Sequence, residues 1–548
     1  MLKTIATGTY DFKKLIESNS YYVDKTKIIE ELIKNKKEVY LFSRPRRFGK
    51  SLFISMLDNF FNIEYKDTNK NLFNNLYISK SEYYTYLSSI PVIKVDFKEL
   101  KAVNYDKMYN SFKELIRDIY SKKRYLLDIL NDDEKEIFNR FLLKNAEEDE
   151  YKKAINILSE YMYRYYNRKV VILMDEYDVP LQEGFLNNYY DDIINPVRGV
   201  FSSSLKGNDY MDFGVVTGIL RVSGESLFPT FNNPKVYSIL NENYNETFGF
   251  TESETKELLE YYGLELNEDV KNMYDGYVFG GVEIYNPWSI LNYAEDKVLR
   301  PYWLNSSSND LIFSCIKKCR NNVKVIIEKL LLGESVKINI NEQITYKNYS
   351  ELSNANNILN LLLMSGYLKI EKLYMNDSYE EEAIVKLPNY EVAQIFKRIL
   401  VEVLTSDLLI DFTLIENFCY AVLDNNKEKM QQLLNEILPN KSYMDSGEDF
   451  YQGYLLGLFS VFLNNKKYIV DSNRESGNGR FDLMIKDKIY NIGIVIELKV
   501  TDGDLEDTAI KGLNQIEEKE YYKDLVKNGY KDIRKIAICF KDKECCIR

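Results

Sequence analysis

Between Val39 and Phe61 an apolar run, Val39 to Ser43, passes into a helical pattern, Ser51 to Phe61, through the segment Ser43-Arg-Pro-Arg-Arg-Phe-Gly-Lys-Ser51. A strand running straight into a helix leaves the first N–H groups of the helix unpaired and aligned with its dipole, which makes the junction a site for anions. The residue types fit a phosphate chain. Lys50 supplies a point charge for β- and γ-phosphates, Ser51 a hydroxyl for Mg²⁺, and Gly49 a backbone without a side chain in the way. The pattern G-x-x-x-x-G-K-[ST] has a first glycine where Arg44 stands here, a departure of one residue.

A second element completes the chemistry. Val170-Val-Ile-Leu-Met-Asp-Glu176 is an apolar strand ending in two carboxylates, of which Asp175 is the candidate for the Mg²⁺ shell and Glu176 for orienting and polarising water. A third strand, Phe213 to Thr217, ends near Arg221; Thr217 could sense a γ-phosphate and Arg221 could stabilise its developing charge, or Arg221 could be an ordinary surface residue. The chain holds no His, so imidazole acid/base chemistry, serine–histidine catalysis and histidine zinc sites are excluded.

From Glu38 to Thr217 short β-branched runs alternate with helical patterns, the signature of a mostly parallel α/β sheet. The expected strands are Val39–Ser43, Val92–Phe97, Val170–Met174 and Phe213–Thr217; the expected helices are Ser51–Phe61, Tyr105–Tyr120 and Glu147–Tyr166. After about Asn245 helices follow one another. Thr251 with Glu254 predicts a capping box, Gly263 a stop and Pro287 a helix start. A helix through Leu359–Met364, then Tyr367–Tyr374, a turn at Asn376-Asp377, and Glu382–Leu387 read as a winged-helix-like segment. Helices from about Leu408 and over Glu448–Leu463 precede strands at Tyr468–Asp471, Arg480–Ile485, Ile489–Leu498 and Ile533–Phe540, with a helix at Leu505–Tyr521.

At 548 residues the chain is too long for one core. The shifts in pattern divide it at 1–245, 246–405 and 406–548. Its net charge of −12 excludes a polycation, so nucleic acid would have to meet a local basic surface. Six Cys without metal-ligand spacing, two of them adjacent at Cys545-Cys546, read as reduced thiols. Met1 to Phe12 holds no continuous apolar stretch of signal-peptide length, and the longest apolar runs, such as Tyr454–Leu463, fall short of a membrane span, so the expectation is a cytoplasmic protein without a membrane partner.

Near the C-terminus Asp482 lies in Gly479-Arg-Phe-Asp-Leu-Met-Ile485, and Glu497-Leu-Lys499 closes the run Ile492–Leu498. Strand periodicity puts Asp482 opposite the face of Phe481, Leu483 and Ile485, and puts Glu497 and Lys499 together on one face. If the two strands pair, two carboxylates converge beside Lys499. That set can hold Mg²⁺ and stabilise a phosphodiester's developing charge, while Lys499 positions or deprotonates water.

The runs Tyr22-Val-Asp-Lys-Thr26, Arg44-Pro-Arg-Arg-Phe-Gly-Lys-Ser51, Asp175-Glu-Tyr-Asp178, Thr217-Gly-Ile-Leu-Arg221, Asp275-Gly-Tyr277 and Tyr285-Asn-Pro-Trp288 resemble the predicted AAA-ATPase-like family. In that family the phosphate loop usually begins with arginine, which makes Arg44 an expected residue. The resemblance implies that Arg44, Pro45, Arg46, Arg47, Phe48, Gly49, Lys50, Ser51, Asp175 and Thr217 surround ATP; the cluster of Arg44, Arg46 and Arg47 reads first as phosphate-loop charge, with a DNA contact as the less favoured reading. Residues 448–540 resemble the terminal PD-(D/E)XK nuclease-superfamily domain of such proteins. That resemblance implies that Glu448 completes the metal set with Asp482 and Glu497, and that Gln515 joins the catalytic residues. One departure is Tyr451-Gln452, where related domains usually carry Tyr-His.

The expected architecture is therefore α/β: a P-loop NTPase domain with a parallel sheet, a helical middle region with a winged segment, and a terminal nuclease-like domain. The expected activity is ATP hydrolysis gating a Mg²⁺-dependent nuclease that acts on DNA or RNA, in a chain that could form a homo-oligomer. The competing expectation is a nucleotide-dependent signalling or assembly switch whose terminal domain binds nucleic acid or protein without cleaving it.

Overall fold

The computed structural model describes residues 2–221, 233–303, 326–327, 329–331, 333–342, 355–396, 412–438, 448–463, 468–472, 475–477, 479–541 and 544–548. It forms two compact units, Met1–Lys318 with Lys337–Val392, and Cys319–Val336 with Ala393–Arg548.

In the first unit β1 (Val39–Ser43), β2 (Val92–Asp96), β3 (Val170–Asp175), β4 (Met211–Gly218) and β5 (Pro234–Tyr237) build one sheet in the order β2-β3-β4-β1-β5. Every pair is parallel. Helices α1 (Lys50–Phe61), α2 (Tyr105–Ser121), α3 (Glu148–Tyr166), α4 (Val179–Leu186) and α5 (Tyr190–Leu205) lie between the strands in sequence. β1 and β3 are buried along their whole length, as strands covered on both faces must be, and this is why they read as unbroken apolar runs. The four expected strands and three expected helices all form, with ends shifted by at most two residues. β5 was not foreseen. It begins with Pro234, which argues against a central strand, and it is tolerated because β5 lies at the sheet edge.

Beyond the sheet, α6 (Glu252–Tyr261) starts in the expected Thr251/Glu254 capping box and is followed by Gly263 at φ +72°. A small antiparallel sheet joins β6 (Phe250–Thr251), β7 (Tyr277–Phe279) and β8 (Val282–Tyr285). Helix α7 (Pro287–Asp296) has proline in its first turn and Asn286 as its cap. Then β9 (Val336–Asn339), α8 (Ala355–Met364), β10 (Lys369–Met375) and β11 (Glu381–Lys386) follow, giving the expected helix and hairpin with β9 as a third strand beside β11. The Asn376 side chain makes the turn by accepting the N–H groups of Ser378 and Glu380.

A buried carboxyl, Glu391, ties the end of this unit together. It accepts the Ser289 hydroxyl at 2.7 Å and the Trp303 N–H at 2.8 Å. Burial pushes its pKa from 4.5 up to about 7, against the pull of those donors. Because the folded value lies above the unfolded one, the folded state holds the proton more tightly, and this contribution is complete below about pH 4.5 and lost as pH rises through about 7. Glu391→Gln is therefore expected to remove a fall in unfolding free energy of roughly 3 kcal/mol between pH 4.5 and 8. Denaturant unfolding of both proteins across that range checks it; parallel pH profiles would count against a protonated Glu391.

From residue 412 on, the second unit contains α9 (Phe412–Leu423), α10 (Lys427–Ile437) and α11 (Glu448–Phe462); the expected helix start near Leu408 lies outside the described residues. A mixed sheet follows, in the order β12-β15-β16-β17-β18: β12 (Tyr468–Ser472), β15 (Leu483–Asp487), β16 (Ile492–Val500), β17 (Asp532–Lys541) and β18 (Glu544–Ile547). β16 and β17 are parallel and joined through α12 (Leu505–Lys519); the other pairs are antiparallel. Ile494, Ile496 and Leu498 point into the main core of this unit, with Phe459 and Ile538.

The expected strand Arg480–Ile485 is broken in two. β14 (Gly479–Arg480) pairs with β13 (Glu475–Ser476) in a separate small hairpin, and the main strand starts only at Leu483. Asp482 sits in the bend between them. Its own bonds explain the break: the backbone carbonyl of Asp482 takes the Gln452 amide at 2.8 Å, and its carboxylate takes the Leu498 N–H at 2.7 Å. The described cysteines Cys419, Cys539, Cys545 and Cys546 are buried free thiols. Among the described residues no helix is long and apolar enough to cross a membrane.

Candidate functional site

In the first unit the sheet order decides which strand ends meet. β4 lies between β1 and β3, so Thr217 is flanked by the end of the phosphate-loop strand on one side and by the acidic strand on the other. The Thr217 hydroxyl donates to Asp175, whose carboxylate also takes the Glu176 N–H at 3.0 Å. Lys50, buried at the start of α1, donates to the carbonyls of Arg44 at 3.0 Å and Pro45 at 2.8 Å. Burial lowers the Lys50 pKa, and the negative charges of Glu176, Asp178 and Asp175 pull the other way.

Backbone shape serves the same place. Gly49 caps α1 at φ +88° with open space where a Cβ would be, leaving the helix N-terminus unobstructed beside Ser51. Glu176 itself adopts φ +51°, a conformation that costs a non-glycine residue about 1 kcal/mol or more. Burial raises the Glu176 pKa, Lys50 opposes it, and Asp175 adds to it, so this carboxylate is more basic than an exposed one.

The arginines of the loop have different neighbours. Arg44 is fully buried and spends its guanidinium on carbonyls of Ser43, Tyr237 and Tyr244, with Phe248 and Phe279 against its face. Burial pushes its pKa down to about 9. Its side chain thus frames the loop, tying β1 to β5, and its contact with a bound phosphate would come from the backbone. Arg46 donates to Gln182 at 3.0 Å, and Arg47 lies 4.3 Å from the ring centre of Trp288. Phe48 is buried against Tyr277 and Phe279. Arg221 forms an ion pair with Glu342 at 3.6 Å.

Asp178 escaped the sequence reading. It is buried, and one carboxylate oxygen accepts the N–H groups of Ile219 and Leu220, each at 3.0 Å. It thereby fixes the backbone leading from Thr217 to Arg221. The third acid of Asp175-Glu-Tyr-Asp178 was its signal, but only the β3–β4 contact gives that acid a partner.

In the second unit β15 and β16 pair with Leu483 opposite Ile496, which carries Asp482 to the Glu497 end of the strand. Glu497 is buried and accepts from Lys499 at 2.9 Å; Lys499 also reaches Glu448 at 3.6 Å. The second oxygen of Glu497 is buried without a hydrogen bond. Burial, with the Asp482 charge added, pushes the Glu497 pKa up to about 7. For Lys499 burial works downward, but Glu497, Glu448 and Asp482 outweigh it and leave the value above that of an ordinary lysine. Lys499 is therefore held as an ammonium. That favours positioning and charge stabilisation over the abstraction of a proton.

Asp482, Glu497 and Lys499 thus come together and Glu448 joins them through Lys499, whereas Gln515 spends its amide on the Tyr521 hydroxyl at 3.1 Å. Burial raises the Tyr521 phenol, as do the charges of Glu497 and Asp482. Among the described residues no three carboxylates or thiols form a cage for a metal. Two carboxylates are what Mg²⁺ commonly takes from a protein, with water and phosphate supplying the rest, and the unpartnered Glu497 oxygen is a free ligand for a cation. Gln452, standing where histidine was expected, holds the Asp482 backbone.

The class follows from these two arrangements. Residues 6–228 match the family described as Predicted AAA-ATPase, and residues 446–548 match the PD-(D/E)XK nuclease superfamily. The chain carries an AAA-ATPase-like domain and a nuclease-superfamily domain, each on the unit whose site fits it. It is also similar to a protein of Azotobacter chroococcum mcd 1 described as an uncharacterized protein in vnfD 5'region, with 26% identity over 322 residues, 58% of this chain and 57% of that one. The chain spans little more than half the length of that relative.

Proposed function

We propose that this protein binds and hydrolyses ATP with Mg²⁺ and that the nucleotide state gates a Mg²⁺-dependent nuclease site acting on DNA or RNA. The observation that carries the first half is a buried Lys50 at the end of the loop after β1, with Asp175 and Glu176 ending β3 and Thr217 of the intervening β4 donating to Asp175. When ATP enters, Lys50 exchanges loop carbonyls for β/γ-phosphate oxygens, Ser51 and Asp175 hold the metal shell, and Glu176 orients water in line with the γ-phosphorus. The new bond forms from water oxygen to phosphorus and the bond to the ADP oxygen breaks, with Glu176 taking the water proton. Thr217 senses the γ-phosphate through Asp175, and Arg221, released from Glu342, stabilises its charge. Mg²⁺ supplies neutralisation of phosphate charge at both sites.

In the nuclease unit Asp482 and Glu497 would hold the cation, Glu448 supports the set through Lys499, and Gln515, bonded to the Tyr521 hydroxyl, is the remaining candidate for a catalytic role. The Lys499 ammonium positions water against a phosphodiester and balances the charge that develops. The domain division proposed for this activity is 1–245, 246–405 and 406–548, in a cytoplasmic protein.

Lys50→Ala tests the nucleotide half: loss of a charge-assisted contact worth about 1.5–3 kcal/mol should weaken ATP binding roughly 10- to 100-fold in equilibrium dialysis. An unchanged affinity would sink this site. Cleavage of mixed DNA and RNA substrates by the full chain with Mg²⁺, with and without ATP, tests the gate; rates independent of ATP would refute it.

A further inference from the structure

Asp275-Gly-Tyr277 and Tyr285-Asn-Pro-Trp288 hold none of the phosphate-handling groups, yet they pack on the phosphate loop. Trp288 presents its ring to Arg47 at 4.3 Å, and Tyr277 meets Phe48 edge-on at 5.0 Å. The loop is pressed from a third direction by Gly366, at φ +84°, where a Cβ would lie 2.8 Å from Pro45. Two local features aim Trp288. Pro287 fixes the first turn of α7, and the Asn286 side chain accepts the Trp288 N–H at 2.9 Å.

The same two motifs grip the end of the unit. Ser289, next to Trp288, donates to Glu391, and Asn389 donates to the Asp275 carbonyl at 2.8 Å. At Gly276, φ +103°, a Cβ would stand 2.2 Å from the Pro388 carbonyl oxygen, so only glycine permits that approach. One side of the motif pair thus touches the phosphate loop and the other touches residues 388–391, just before the unit ends at Val392. Adjacent residues of one helical turn, Trp288 and Ser289, make the two contacts.

We propose that these motifs form a clamp that reads nucleotide occupancy: bound phosphate draws Arg47 off the Trp288 ring, and the shift of α7 passes through Ser289 and Glu391 to residues 388–392. A phosphate oxygen is a stronger partner for a guanidinium than an aromatic face, which sets the direction of the exchange. Trp288 is a positioning residue, since it acts on the nucleotide through Arg47. The inference rests on ATP binding at Lys50.

The chain has two tryptophans, Trp288 and Trp303, so intrinsic emission reports the clamp directly. The full chain is titrated with ATP and Mg²⁺ while binding is measured independently by equilibrium dialysis. The expected result is an emission shift that saturates with binding, together with altered amide exchange in peptides covering 386–392. In Trp288→Leu both responses should be lost while ATP still binds; Trp288→Met, which also lacks an aromatic face, serves in its place if the leucine variant does not fold. Bound ATP with unchanged emission overturns the clamp, as does a shift or an exchange response that survives in the variant. Absence of ATP binding to the wild-type protein would instead refute the nucleotide site on which the clamp depends.

Discussion

Glu176→Gln is expected to bind ATP within about threefold of the wild-type affinity and to hydrolyse it on the order of 10²–10⁴ times more slowly. The substitution keeps the shape of a side chain held at φ +51° beside Asp175 and removes its capacity to take a proton. The burial that raises the Glu176 pKa is what makes the acid a useful base, so the loss should fall on turnover and leave affinity nearly intact. Steady-state hydrolysis and equilibrium binding of the same preparation separate the two quantities. Normal turnover by the glutamine variant would remove Glu176 from the mechanism and leave the acidic strand as a metal-binding element alone.

In the second unit Asp482→Asn and Lys499→Ala are each expected to lower Mg²⁺-dependent cleavage by about 10²–10⁴. Asparagine is the sharper choice at 482, because its side-chain oxygen can still accept the Leu498 N–H at the place where the aspartate does, so the bend between β14 and β15 is kept while the charge is lost. Lys499→Ala leaves the Glu497 and Glu448 charges without their shared cation, and its fold should be checked by thermal unfolding before its activity is interpreted. Cleavage by both variants at the wild-type rate would reduce this unit to a binding module. The competing picture of a nucleotide-dependent switch would then gain, particularly if ATP altered the oligomeric state.

Much of the architecture was legible because β1 and β3 are buried on both faces, and continuous apolar runs such as Val170–Met174 have few alternatives between helices. Helix starts were legible where the capping chemistry is local, at Thr251 and Pro287. β5 and β18 were not. β5 carries proline and lies at an edge, and β18 is a four-residue strand whose Cys545-Cys546 pair gives no alternation; both exist through the partner strand that receives them. The single strand expected at Arg480–Ile485 had the right pattern, yet it breaks where Asp482 accepts the Gln452 amide and the Leu498 N–H, donors 30 and 16 residues away in the chain.

The sites divide in the same way. Lys50, Ser51, Asp175 and Glu176 announce themselves in sequence because phosphate and magnesium chemistry needs those residue types at the ends of strands, and Glu497 with Lys499 because a two-residue spacing shares one face. Sequence by itself therefore determined the parallel α/β plan, the phosphate-loop segment and the D…E-x-K pair, all of which depend on local periodicity. Only the tertiary structure decided that Arg44 faces inward as a frame, that Asp178 fixes the way to Arg221, that Tyr521 joins Gln515, and that Trp288 meets Arg47. Those roles come from burial and long-range pairing, whose free energies depend on which residue stands opposite, and no local pattern in the chain specifies that.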